Sequence, residues 1–251
     1  MRLDSVDAAR GVSILQMIAY HFCYDLNYFS WIHVALTHDA GWIAWRTAIV
    51  TQFLFLAGVS LMLRPGAAVR APAHGTDVAS RRRFWRRWAQ IAGCAALVSI
   101  ASHELFGPRF IWFGVLHFVA AALILLSPLA HRPAWALALA GALVLAAGLA
   151  LHVAPMDTNA LSWIGFAAHK PQTEDFVPLF PWLGVVLLGM AAAGLWQRSS
   201  GRWALTLRRP LAGAWRLPRL LGRWPLTVYM LHQPLLFGAL DLIALLRQGG
   251  V

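Results

Sequence analysis

Residues 11–29 form an apolar stretch long enough to cross a bilayer, yet they include His21 and Asp25. Ionisable side chains at membrane depth are costly and face a protein interior or a wet cavity. With Asp7, Arg10 and Met17 they recur at steps near three and four, so a helix gathers them into one stripe. Such a stripe points to chemistry or transport rather than to anchoring. His21 and Asp25 have the spacing of a base and its orienter. A neutral imidazole accepts a proton, and a carboxylate fixes its tautomer. Two structural readings stand beside this one. Asp25 can form an ion pair with Arg46 that clamps two helices, and His21 can simply be satisfied by an interhelical hydrogen bond.

Other polar residues fall at depth in later apolar stretches. Gln52 sits near the middle of the second, with Arg46 about one turn below its outer end. His117 lies about two turns from the outer end of the fourth, and His232 and Gln233 about two turns from the inner end of the seventh. Together they extend the His/Asp stripe into a polar column. Arg46, Gln52, His117, His232 and Gln233 are the candidates to steady a developing oxyanion in a dry site. His33, His38 and Asp39 occupy the first outer loop, and His38 is a second candidate base. His74, His131, His152 and His169 read as loop or boundary residues. Asp157, Glu174 and Asp175 lie in a long outer loop, 153–177, which suits an acceptor-binding region. Its acids and histidines are too dispersed for a metal site, and no metal is expected.

The elements that must carry these residues follow from composition. The chain has 251 residues, of which 59% are hydrophobic and 12% charged, and its mean hydropathy is +0.61. These values exclude an ordinary soluble domain and indicate an all-α, polytopic membrane helix bundle. The first apolar run is long and lacks a small-residue cleavage site, so it reads as a span rather than a signal peptide. Seven spans of bilayer length are predicted, at about 11–29, 42–63, 88–104, 111–128, 133–152, 178–196 and 225–246. They make one integral-membrane domain over residues 1–251. Residues 65–87 read as a Gly/Pro/Ala-rich loop ending in a basic cluster, and 198–223 as a second basic loop. Trp203, Leu207, Leu211 and Trp215 suit an amphipathic segment on the membrane surface.

Charge sets the orientation. With the N-terminus inside, seventeen basic residues face the cytoplasm: Arg2, Arg10, Arg64, Arg70, Arg81, Arg82, Arg83, Arg86, Arg87, Arg132, Arg198, Arg202, Arg208, Arg209, Arg216, Arg219 and Arg223. Four lie outside or near the outer ends: Arg46, Arg109, Lys170 and Arg247. The net charge of +11 is therefore a positive-inside signal that meets anionic membrane lipid, and no nucleic-acid partner is expected. An odd number of spans puts the C-terminus outside. Trp31, Trp42, Trp45, Trp85, Trp88, Trp112 and Trp224 fall near span ends, where an aromatic belt belongs. One Lys beside twenty Arg suggests a GC-rich bacterial genome, hence a multi-pass protein of the bacterial inner membrane. Cys23 and Cys94 fall within spans and read as packing residues rather than a disulfide.

Several short motifs recur to the eye in order. Asp7-x-x-Arg10-Gly11 opens the chain, followed by Met17 to Leu26 with His21 and Asp25. Then come Phe53 to Leu61 with Gly58 and Ser60, Phe113-Gly114-Val-Leu-His117-Phe118, Phe180-Pro181-Trp182-Leu-Gly184, and Tyr229-Met-Leu-His232-Gln233-Pro234. The set resembles the short bacterial branch of the heparan-alpha-glucosaminide N-acetyltransferase catalytic domain family, a group of transmembrane acyltransferases. The resemblance covers the chain from near residue 2 to about 236. It implies membrane helices enclosing an acyl-transfer site, acetyl-CoA supplied from the cytosol and an amine acceptor on the opposite face. By spacing from Arg10, His21 falls where the animal enzymes carry an Asn. Their loop His, shortly before a Trp, best matches His38, which precedes Trp42. The animal enzyme's large luminal domain has no counterpart here, which argues against heparan itself as the acceptor.

The expected activity is transfer of an acetyl or other acyl group from cytoplasmic acyl-CoA to an amine or hydroxyl of an extracytoplasmic sugar or glycan. His21 oriented by Asp25, or else His38, serves as general base or acyl carrier. Arg10, Arg82, Arg83, Arg86 and Arg87 are the candidates to hold the acyl-CoA phosphates. A proton-coupled membrane transporter using the same column is the alternative, though no inverted repeat supports it. The family resemblance allows a homodimer, and the Ala/Gly-rich run 134–148 would permit close helix contact.

Overall fold

A computed structural model describes residues 3–36, 38–63, 78–198 and 213–248. Arg2, Arg64, Arg70, Arg202, Arg208, Arg209, His74, Trp203, Leu207 and Leu211 lie outside the described residues. The described chain is helical, with a single isolated bridge between Phe113 and Phe176. Its helices are α1 (Asp4–Tyr28), α2 (Ala40–Leu63), α3 (Val78–Phe106), α4 (Val115–Leu126), α5 (Ala134–Ala150), α6 (Asn159–Ser162), α7 (Leu179–Arg198), α8 (Arg216–Arg223) and α9 (Pro225–Gln248).

Every predicted apolar stretch is helical, but the lengths are unequal. Among the described residues, four helices are long and apolar enough to cross a membrane: α2, α3, α7 and α9. α4 has 12 residues and α5 has 17. At 1.5 Å per residue these reach about 18 and 26 Å, short of a hydrocarbon core about 30 Å thick. α1 has 25 residues, but its first two turns carry Asp4, Asp7 and Arg10. The basic cluster Arg81–Arg87 is helical rather than part of a loop, because α3 already begins at Val78.

The chain divides into two compact units, 1–53 with 201–251, and 54–200. In the first, α8 lies against the start of α1 at a junction without room for side chains. A Cβ on Gly11 would run into the Pro218 carbonyl, and one on Gly222 into the Asp7 carbonyl. Arg219 donates to Asp4 Oδ2 at 2.8 Å, and Arg223 to Asp4 Oδ1 at 3.3 Å. These bonds complement the acidic first turn of α1, where the helix dipole favours negative charge.

The second unit is built on small residues. Gly141 of α5 faces the Gly184 carbonyl of α7, Gly148 faces Pro181, and Gly189 of α7 meets the Phe55 carbonyl of α2. Close backbone approach of this kind is how helices pack where lipid removes the hydrophobic drive between them. The small-residue face of 134–148, which the sequence offered to a second copy, is therefore used within the chain. The outer face of α5 instead shows Trp135, Leu139 and Leu143, suited to lipid.

Candidate functional site: an imidazole pair between two helices

His21 on α1 and His232 on α9 face each other. His232 Nε2 lies 3.2 Å from His21 Nδ1, and the ring centroids are 4.9 Å apart. The backbone decides which nitrogens carry protons. His232 Nδ1 is 2.6 Å from the Tyr229 carbonyl and 3.2 Å from that of Val228. A carbonyl only accepts, so Nδ1 holds the hydrogen and Nε2 of the neutral ring is a lone pair. His21 Nδ1 is 3.0 Å from the Met17 carbonyl, so it also carries a hydrogen. That hydrogen is shared between Met17 O and His232 Nε2 in a three-centre bond. His21 Nε2 is then left as a lone pair with no hydrogen-bond partner among the described residues. Tyr20 packs edge-on against His21, Trp42 and Trp45, giving the pair an aromatic flank.

Asp25 does not orient His21. Helical side chains lean toward the N-terminal turn, so the His21 ring reaches back to Met17 and not forward to Asp25. Nor does Asp25 pair with Arg46. It accepts instead from Gln233 Nε2 of α9, at 2.6 Å. Asp25 is 0% exposed, and both its Oδ2 and the Gln233 Oε1 are buried without a hydrogen-bond partner. Two buried acceptors thus stand without a partner on the residues one turn from His21 and next to His232.

Gln52 is occupied otherwise. Its Oε1 accepts from Gln16 Nε2 at 3.0 Å and from Ser13 Oγ at 3.3 Å, tying α1 to α2. Gln16 and Ser13 were legible as polar residues in an apolar run but were not singled out. Arg10 is likewise engaged, donating to Asp7 Oδ1 at 2.9 Å and to the Gly222 carbonyl at 2.7 Å. It fastens α1 to α8, so the opening motif builds the helix junction described above. His38 is exposed in the loop before α2, and its ring makes no hydrogen bond to the pair.

In the second unit, His117 has no spare nitrogen. Its Nδ1 accepts from the Gly114 amide at 3.3 Å, and its Nε2 lies 3.1 Å from Ser99 Oγ. Ser99 in turn donates to the Ile111 carbonyl at 2.6 Å. Asp175 completes the cap of α4 by accepting from the Val115 amide at 2.8 Å. In this arrangement His117 caps α4 and its one N–H is donated to Ser99. In the loop 153–177, Asp157 Oδ2 lies 2.7 Å from His169 Nδ1 while its Oδ1 accepts from the amides of Ala168 and His169. The hydrogen bond from the His169 ring, followed by that from its amide, holds the Asp157 carboxyl below its ordinary value of 3.8.

Arg82, Arg83 and Arg86 line a concavity of about 590 Å³ with Val78 and Ala79 at the start of α3. Arg83 also donates to Ser80 Oγ at 2.7 Å. Guanidinium groups crowded at the positive end of a helix repel one another and the dipole, an arrangement that an anion relieves. Arg87 is exposed on the same two turns.

Residues 2–234 match the family described as heparan-alpha-glucosaminide N-acetyltransferase, catalytic. The chain belongs to that family. No curated protein and no solved structure matches it significantly. The N-acetyltransferase match takes in both imidazoles, Asp25, Gln233 and the arginines of α3. The family is one of acetyltransferases, and the long apolar helices of this member make it a membrane protein. Among the described residues no group of three or more His, Cys, Asp or Glu could hold a metal ion.

Proposed function

We propose that this acetyltransferase-family protein moves an acetyl or related acyl group from acyl-CoA to an amine or hydroxyl of an extracytoplasmic sugar or glycan, with His21 as the base. One observation carries the reading. His21 holds its Nδ1 hydrogen against Met17 O and leaves Nε2 as an unpaired acceptor between apolar helices. That nitrogen can take the proton of the acceptor as it attacks the thioester carbonyl, and it can return the proton to the departing thiolate. The attack forms a C–N or C–O bond and breaks the C–S bond, so the products are the acylated acceptor and the free thiol. Asp25 Oδ2 and Gln233 Oε1 offer two places for hydrogens of the same acceptor. Arg82, Arg83, Arg86 and Arg87 are the groups best suited to the donor's phosphates. Seven spans, with the N-terminus inside a bacterial inner membrane, would bring a cytoplasmic donor to an acceptor on the far face. The excess of basic residues predicted inside supports that orientation. The carrier reading gains no observation of its own from the described helices.

The test is purified protein in nanodiscs with radiolabelled acetyl-CoA and a panel of amino sugars and neutral sugars. Label should move to at least one of them, and His21→Ala should lower the rate by about 10²–10⁴, the usual contribution of a general base. Absence of both acceptor labelling and CoA binding by the wild type would refute the reading.

A further inference from the structure

We infer that His232 is the positioning residue of His21, so that the two rings work as one proton-sharing dyad in which His232 does what a carboxylate was expected to do. The inference rests on the acyl-transfer reading and deepens it. Its basis is the direction of the hydrogen bonds along the pair. Tyr229 and Val228 carbonyls fix the hydrogen of His232 on Nδ1. They therefore oblige Nε2, 3.2 Å from His21 Nδ1, to be an acceptor. The His21 Nδ1–H points at that lone pair and at the Met17 carbonyl. When His21 Nε2 takes the acceptor's proton, the resulting imidazolium keeps its Nδ1–H directed at a second imidazole. That ring can receive part or all of the proton, whereas a backbone carbonyl cannot. On return of the proton from Nε2 to the leaving thiolate, the dyad regains its starting tautomers, and no proton is created or lost.

His232 cannot act as an oxyanion donor in this arrangement, because its only hydrogen is committed to Tyr229 O. Its immediate neighbour Gln233 is bonded at 2.6 Å to Asp25, one turn along α1 from His21. That bond holds the facing turns of α1 and α9 in register and thereby sets the separation of the rings. His232 is buried, with 7% of its surface exposed, so bulk water does not compete for its lone pair.

The experiment has two readouts on the intact protein. In selectively ¹⁵N-histidine-labelled wild type, a through-hydrogen-bond coupling should join His21 Nδ1 to His232 Nε2. This measurement requires no turnover. In the acyl-transfer assay, His232→Leu should lower kcat by about 10–100-fold with KM changed by less than about twofold. His232→Gln, whose amide oxygen can occupy the place of Nε2, should recover kcat to within about tenfold of wild type. Absence of the coupling, or a His232→Leu enzyme with wild-type kcat, would overturn the dyad. Coupling in a protein that acylates nothing would leave the dyad standing and reject the acyl-transfer reading. If His232→Leu does not fold, the coupling and His232→Gln still decide. A folded His232→Gln protein whose kcat is more than about a hundredfold below wild type would also count against positioning.

Discussion

His117 and His21 lie in similar apolar sequence, each within a helix and each beside a hydroxyl- or amide-bearing neighbour, but their nitrogens are treated in opposite ways. Around His117 the donors and acceptors close on themselves. The Gly114 amide, Ser99 and the Ile111 carbonyl use both ring nitrogens, and Asp175 fills the next amide of the cap. Around His21 they remain open: Nε2 lacks a partner, as do Asp25 Oδ2 and Gln233 Oε1 nearby. An imidazole that completes a helix end stabilises the fold, whereas the open acceptors around His21 are what the proposed base chemistry would use. Burial alone does not separate the two, since both rings are partly covered.

Three perturbations probe this contrast. The largest effect is expected at Gln233. Gln233→Leu removes the Gln233 Nε2 donor from a carboxylate with no exposed surface, and it should lower unfolding stability by at least about 1–3 kcal/mol, more if Asp25 is charged. Combining it with Asp25→Leu should restore most of the loss, because replacing both partners by apolar groups removes the unpaired acceptor. Denaturant or thermal unfolding of the single and double variants measures this. A double variant no better than the single would show that the bond matters for something besides pairing. Next comes His117→Ala. It strips the Gly114 amide and Ser99 of a partner, and the stability loss should be about 1–2 kcal/mol, as for other lost caps. Its kcat per folded molecule should fall far less than that of His21→Ala. An equal fall in both would erase the distinction drawn between the two histidines.

The smallest effect is expected in the loop 153–177. The Asp157 carboxyl has its pKa depressed by His169, so it contributes order that is present above pH 3.8 and is lost as pH falls through the lower folded value. Protection of the Ala168 and His169 amides, taken as their exchange rate relative to the intrinsic rate at each pH, should fall in that acidic window. Asp157→Asn should flatten the response. Protection indifferent to acid in the wild type would mean that the clasp does not order the loop.

Much of the helical architecture was legible because apolar runs in this chain are long and sharply bounded. Predicted spans at 42–63, 133–152, 178–196 and 225–246 correspond to α2, α5, α7 and α9 within a few residues. Helix beginnings were less legible. α1 starts at Asp4 and α3 at Val78, both within polar sequence, because Arg219 and Arg223 stabilise the first turn of α1 and the arginines of α3 remain solvated. The candidate site was legible as a set of residues but not as a set of bonds. His21, Asp25, His232 and Gln233 were each singled out. Their pairing was not, since a spacing of four suggests contact along one helix while the partners here come from another. The partners of His117 were hidden for a related reason: the hydroxyl and amide that bond it are contributed by Ser99 and the turn before α4, which periodicity does not reveal.

Only Trp224 separates α8 from α9. α8 is locked to the base of α1 by Gly11, Gly222 and Arg10, and α9 is bonded higher on the same rod through Gln233 and Asp25. The polypeptide therefore closes a mechanical triangle with almost no slack at one vertex. A residue inserted at that vertex would turn α9 by about 100° about its axis. His232 would swing away from its partner while every helix kept its own hydrogen bonds.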